Sequence, residues 1–225
     1  MPMARHTFPP LYYPVLIVIL AFAVSARSTA PPPSDAAVSA RATAAPPSDA
    51  EADRRFLREC CANTSNAPVC YDWLLPSAGS FHGDHVKVAL AAGAGAFARL
   101  RGFYHEIRRL QRTGTGAGRV ADMALGPCAT MALVVLETEG DWRASLRRLE
   151  TAAGRRGEQA KSDLFNAQFR IGVVGPAATA CTDDLASAGE AVLASQVGKK
   201  VAAIVADVEL HGVIAHELVI NGVTL

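Results

Sequence analysis

The chain has 225 residues, half of them hydrophobic, with 22 lysines and arginines against 21 aspartates and glutamates. So even a charge balance gives no electrostatic case for nucleic acid or an anionic membrane surface as a partner. Aromatic residues make up only 6%, alanine is abundant, and β-branched residues do not alternate with polar ones, a pattern that favours helices over strands.

At the N-terminus, Arg5 and His6 precede an unbroken apolar run over residues 15–24, and small residues follow at Ser25 and Ala26. This is the layout of a secretory signal peptide over residues 1–26, cut after Ala26. The run falls short of the ~20 residues that a membrane-spanning helix needs. The mature protein is therefore expected to be secreted, with no membrane attachment once the signal is removed. Residues 27–52 are rich in Ala, Pro and Ser, bury little apolar surface, and are expected to form a disordered arm. Residues 53–225 are long enough for one domain with a real core.

Within that domain, residues 84–112 read as a long helix. Val86, Ala89, Gly93, Phe97, Leu100, Tyr104 and Ile107 recur every three or four residues and so share one stripe. Its middle, AAGAGAFA, superficially resembles a dinucleotide-binding glycine loop, but no strand precedes it; small residues here are expected where a neighbouring backbone comes close. Glycines at 114, 116 and 118 end this helix. A second helix follows from Pro127 or already from Arg119, with Cys128, Met131, Val135, Thr138, Trp142, Leu146 and Leu149 on its inner stripe. A third carries Cys181, Leu185, Ala188 and Val192, and a fourth carries Val201, Ile204, Val205, Val208, Ala215 and Leu218. Four amphipathic helices with short connections predict an all-α, antiparallel up-down four-helix bundle.

Five cysteines in a secreted chain point to disulfides with one thiol left over. Any four of them allow three connectivities. Cys61 and Cys70 enclose eight residues of turn composition, ANTSNAPV, where a bridge would pin a small helical hairpin. The midpoint between Cys128 and Cys181 falls beside Gly154. If the second and third helices turn there, at residues 154–157, the two cysteines reach equal height and can approach within the ~4.4–6.8 Å between Cα atoms that a bridge demands. That geometry requires the third helix to begin near Glu158 and to kink at Gly175-Pro176.

Other candidate sites are weaker. His211 and His216 lie five apart on one helix and cannot grip one metal together. His82 and His85 have no third ligand nearby in sequence, and solvated or capping roles are expected for all four. No nucleophile elbow, metal-protease helix, phosphate loop or paired-carboxylate pattern occurs, so neither enzyme activity nor a metal or cofactor is expected. Arg99, Arg101, Arg108, Arg109 and Arg112 are spread around the first long helix as a solvated face. Asn63-Thr64-Ser65 is an N-glycosylation sequon at Asn63.

The stretch FLRECCANTSNAPVC (C-x8-C, with Thr64 three residues after Cys61), the long helix after it, Ala124-Leu125-x-x-Cys128, and AATACTDDL around Cys181 together resemble the plant invertase and pectin methylesterase inhibitor family over residues 53–225. The resemblance implies a four-helix bundle preceded by a small N-terminal helical hairpin, with disulfides Cys61–Cys70 and Cys128–Cys181. The eight-residue spacing selects Cys61 over Cys60, with Cys60–Cys70 as a minor alternative, and leaves Cys60 as a free or intermolecular thiol.

Members of that family stop a carbohydrate-active enzyme by laying the bundle across its substrate cleft. The expected partner is pectin methylesterase in the apoplast or cell wall. The alternative is acid invertase, whose inhibitors carry Pro-Lys-Phe some fifteen residues before the fourth cysteine, where this chain reads Ser162-Asp163-Leu164-Phe165. With no esterase sequence after Leu225, a stand-alone inhibitor is expected. Three departures from the family pattern, namely the extra Cys60, Gly126-Pro127, and a long interval from Cys128 to Cys181, keep open a non-inhibitory apoplastic signalling or structural bundle.

Overall fold

A computed structural model describes residues 49–116 and 118–225. The expected signal peptide and nearly all of the expected arm lie outside them. The first helix, α1 (Asp49–Ala62), begins four residues ahead of the expected domain start. It is followed by α2 (Ala67–Leu74), a 3-10 segment (Leu75–Ser80), α3 (His85–Thr113), α4 (Arg119–Leu136), α5 (Glu139–Arg148), α6 (Gly157–Gly172), α7 (Val174–Ser187), α8 (Glu190–Ala194) and α9 (Gln196–Gly222). Among the described residues there is no strand.

Local chemistry sets the helix starts. Asn66 accepts the N–H of Val69 and Asp84 that of Val86 at 2.8 Å, while Ser195 accepts that of Gly198. Each is an N-cap that satisfies an otherwise orphaned donor.

The bundle is an all-α, up-down array in which α3 packs on α4 and α9, and α7 on the same two. The second arm is α4 continued by α5 after a short step at Glu137–Thr138, and the third is α6 continued by α7 after a break at Val173. The turn between these arms spans residues 149–156, at Gly154 as expected, and α6 begins beside Glu158. The kink falls at Val173, ahead of the expected Gly175-Pro176, because Pro176 occupies the first turn of α7. There its missing N–H has no intrahelical partner to lose.

Pro127, by contrast, does not break α4, which runs through it. The carbonyl that loses its partner is that of Met123, and Met123 is on the solvent side. The third helix also ends earlier than the stripe implied. Ala188 and Val192 lie beyond the end of α7, separated by a turn at Gly189, whose φ of +126° is costly for any residue with a Cβ.

The hairpin of α1 and α2 is closed by Cys61–Cys70, with Cα atoms 5.6 Å apart, and the inner arms are joined by Cys128–Cys181 at 4.7 Å. The hairpin is tied to the bundle at a second level. Ser65 donates both its N–H and its hydroxyl to Glu217 on α9, and Asn221 donates to the Asn63 carbonyl.

Most of the predicted stripes are buried, with five corrections. Met131 is exposed and Ala132 takes the inner position, while Tyr104, Thr138, Ala188 and Ile204 are only half-buried. The small residues of AAGAGAFA do receive close neighbours, but these are tryptophan rings and not backbones. A Cβ on Gly93 would overlap the indole of Trp142, and one on Gly95 that of Trp73. Trp142 is fully buried against Phe97, with ring centroids 5.3 Å apart.

Candidate protein-docking surface

The four bridging cysteines are spent on the scaffold, so a functional surface must be sought in what the scaffold leaves exposed. Phe165 and Phe169 occupy positions i and i+4 of α6, which places them on one face. Their rings stack with centroids 6.4 Å apart, yet they are 65% and 64% exposed. Their own helix turns Ala160, Asp163, Ala167 and Ile171 into the bundle instead.

Between α6 and α9 these rings, with Gln168, Gly172, Val173, His216 and Ile220, line an open hollow of about 350 Å³. His216 reaches it because Gly172 has no Cβ to stand in the way of the imidazole. Burial lowers the His216 pKa below its ordinary value, and Glu217 opposes that shift without cancelling it. Burial thus disfavours the charged imidazolium beside the hollow. Exposed paired aromatics beside a small apolar depression are the residue types and shape of a protein-binding hot spot.

The N-terminal end of α6 is polar. Asp163 is buried and accepts from Arg148 at 2.9 and 2.7 Å and from Gln159 at 3.1 Å. The Arg148 hydrogen bond holds its carboxyl below the usual range. This pair locks the α5–α6 turn and thereby fixes the direction in which Phe165 and Phe169 project.

The remaining sequence candidates are dispersed. Cys60 is a buried free thiol with its Sγ 3.4 Å from His85 Nδ1, and burial, with Glu59 adding, raises its pKa to about 11. Such a thiol is protonated and poorly reactive. Asn63 is exposed at the tip of the hairpin, and Thr64 donates its hydroxyl to the Cys61 carbonyl at 2.8 Å.

His211 is buried, contrary to the solvated role expected for it. It lies edge-on to Trp73 at 4.5 Å, with Nδ1 2.7 Å from the Asp207 carbonyl. His82 has a φ of +50° in the turn before α3. Among the described residues, no three His, Cys, Asp or Glu side chains gather as metal ligands.

Of the arginines of α3, Arg99 lies over Trp73 and pairs with Asp207 at 3.2 Å, Arg101 pairs with Glu139, and Arg109 pairs with Glu106. The exposed phenylalanines were missed in the sequence as a surface. The one available signal was their i, i+4 spacing on the opposite side of α6 from Ala160 and Ala167.

Fold and surface together define a disulfide-bridged helical bundle with an exposed aromatic face. No protein-family model matches the chain, and no solved structure matches it. A curated protein of Oryza sativa subsp. japonica, described as uncharacterized, is 34% identical over 119 residues. The match takes in 50% of this chain and 51% of the relative, so the chain spans about half the length of the curated relative it matches.

Proposed function

We propose that this protein is a secreted inhibitor of a cell-wall carbohydrate-active enzyme, pectin methylesterase, acting by covering the substrate cleft of its target. The observation that carries the reading is the cysteine framework. A hairpin bridged by Cys61–Cys70 stands ahead of a bundle bridged by Cys128–Cys181, and this is the framework through which the sequence resembles the inhibitor family. Two disulfides also suit an oxidising compartment, and the plant source of the relative suits a cell-wall target.

Phe165, Phe169 and Ile220 are the anchors assigned to the interface. Large apolar side chains on a rigid helix face lose little conformational freedom on binding, and the hollow beside them accepts a protruding side chain of the partner. The test is to titrate the protein into pectin methylesterase and follow the release of methanol from esterified pectin. Stoichiometric loss of activity supports the reading, and full activity at micromolar inhibitor refutes it.

Acid invertase is the second reading. It is favoured by Phe165, the aromatic that falls near the Pro-Lys-Phe position of invertase inhibitors and is exposed here. The same titration with sucrose hydrolysis as the readout separates the two targets.

A further inference from the structure

The two sides of α4 have opposite fates. Ala121, Leu125, Cys128, Ala129, Ala132 and Val135 turn into the bundle and are buried. At ~100° per residue, Val120, Met123, Pro127, Met131 and Val134 fall in a stripe about 80° wide on the opposite side. The stripe is exposed along its length, from 44% for Met131 to 68% for Met123. An apolar helix face of four turns left in water marks an interaction site.

The stripe reads the same in both directions. Its spacings are three, four, four and three, and its residues are Val, Met, Pro, Met and Val. A twofold axis through Pro127 therefore sets Val120 against Val134 of a second copy and Met123 against its Met131, with the two prolines meeting on the axis. Self-complementarity of this kind is what an isologous interface demands.

The charges obey the same operation. Arg119 and Glu137 are eighteen residues apart, which is five turns, so they stand on one flank of the stripe at its two ends. Neither makes an ion pair among the described residues. In an antiparallel pair, residues on the same flank face each other, so Arg119 of each copy meets Glu137 of the other. A parallel pair would turn that flank towards the opposite flank of the partner and leave Arg119 and Glu137 apart.

We infer that α4 is the seam of a symmetric antiparallel dimer of this chain, packed through Val120, Met123, Pro127, Met131 and Val134. A bilayer is a poorer occupant, although residues 119–148 are apolar enough by composition. One face of α4 is committed to the core, charges flank the stripe, and Pro127 leaves the Met123 carbonyl without its helical donor.

The test is sedimentation velocity of the full chain over a concentration series, with circular dichroism to monitor folding. The wild type is expected to sediment as two chains, and M123E/M131E, which places carboxylates against each other across the axis, as one folded chain. Loss of two central apolar anchors raises the dissociation constant about a hundredfold or more. R119E and E137R each weaken association, and the R119E/E137R exchange restores it. A wild type that remains a single chain throughout overturns the inference, as does an M123E/M131E variant that remains two. A single-chain wild type that co-sediments with phosphatidylcholine vesicles, where M123E/M131E does not, overturns it in favour of lipid.

Discussion

A methyl group at position 93 has nowhere to go. The indole of Trp142 fills the space above Gly93, fully buried and wedged against Phe97. Gly93→Ala is therefore expected to destabilise the fold by about 3 kcal/mol, the upper range for overpacking a core. Gly102 lies on the same helix with open space at its Cβ position, so Gly102→Ala should stabilise by about 1 kcal/mol through helix propensity. Denaturant unfolding of both variants checks this, and two shifts of the same sign would contradict it.

Glu106 offers a second test at this scale. Hydrogen bonds from Arg109 and then Lys200 lower its pKa from 4.5 to about 2. A carboxylate depressed in the folded state stabilises fully above its unfolded pKa and loses that contribution as pH falls through the folded one. The difference in melting temperature between wild type and Glu106→Gln should thus be constant above pH 4.5 and shrink as pH approaches 2. A difference that grows with acidity would contradict the pairing.

At the scale of elements, the Cys128–Cys181 bridge depends on the heights of two broken arms. Cys128 lies in the first half of the second arm and Cys181 in the second half of the third, so the turn at Gly154 brings them level. The bridge spans 53 positions, and its removal in C128A/C181A should cost about 4 kcal/mol in the chain-entropy view, read by denaturant unfolding under oxidising conditions. A negligible loss would mean that the two arms are held by packing alone.

The hairpin geometry was legible because glycines and prolines mark turns independently of packing. The face of α4 was not. Its inward side mixes alanines, at 121, 129 and 132, with Leu125, Cys128 and Val135, while Val120, Met123, Met131 and Val134 point outward. The three-and-four spacing from Cys128 put Met131 on the inner stripe, where Ala132 stands instead. α6 has the same mixed pattern, with Ala160, Ala167 and Ile171 inside and Phe165 and Phe169 outside. In a close-packed, alanine-rich bundle, side-chain size marks the interaction surfaces as readily as the core.

For the molecule as a whole, the two exposed apolar features lie on different helices, α4 and α6, and have different chemistry. One is a palindromic aliphatic stripe and the other a pair of stacked aromatic rings beside a hollow. The scaffold was visible in the cysteines, whereas the docking surface was not, since a helix face that meets a partner and one that meets water share the same periodicity. Asp163 and His211 show the same limit for polar groups. Both are buried because particular partners, Arg148 and Trp73, reach them from other elements.

If the aromatic face carries inhibition, F165A/F169A should weaken inhibition of the target about a hundredfold, as for two hot-spot anchors. It should leave the fold intact, since both rings are already in water. Unchanged inhibition would move the interface to another face.

The most direct test of the account is titration of pectin methylesterase with the disulfide-intact protein, measured as methanol release at the mildly acidic pH of a cell wall. Inhibition that reaches completion near one protein per enzyme, and that is lost after reduction of Cys61–Cys70 and Cys128–Cys181, is the predicted result. Full esterase activity in the presence of excess folded, oxidised protein would contradict it.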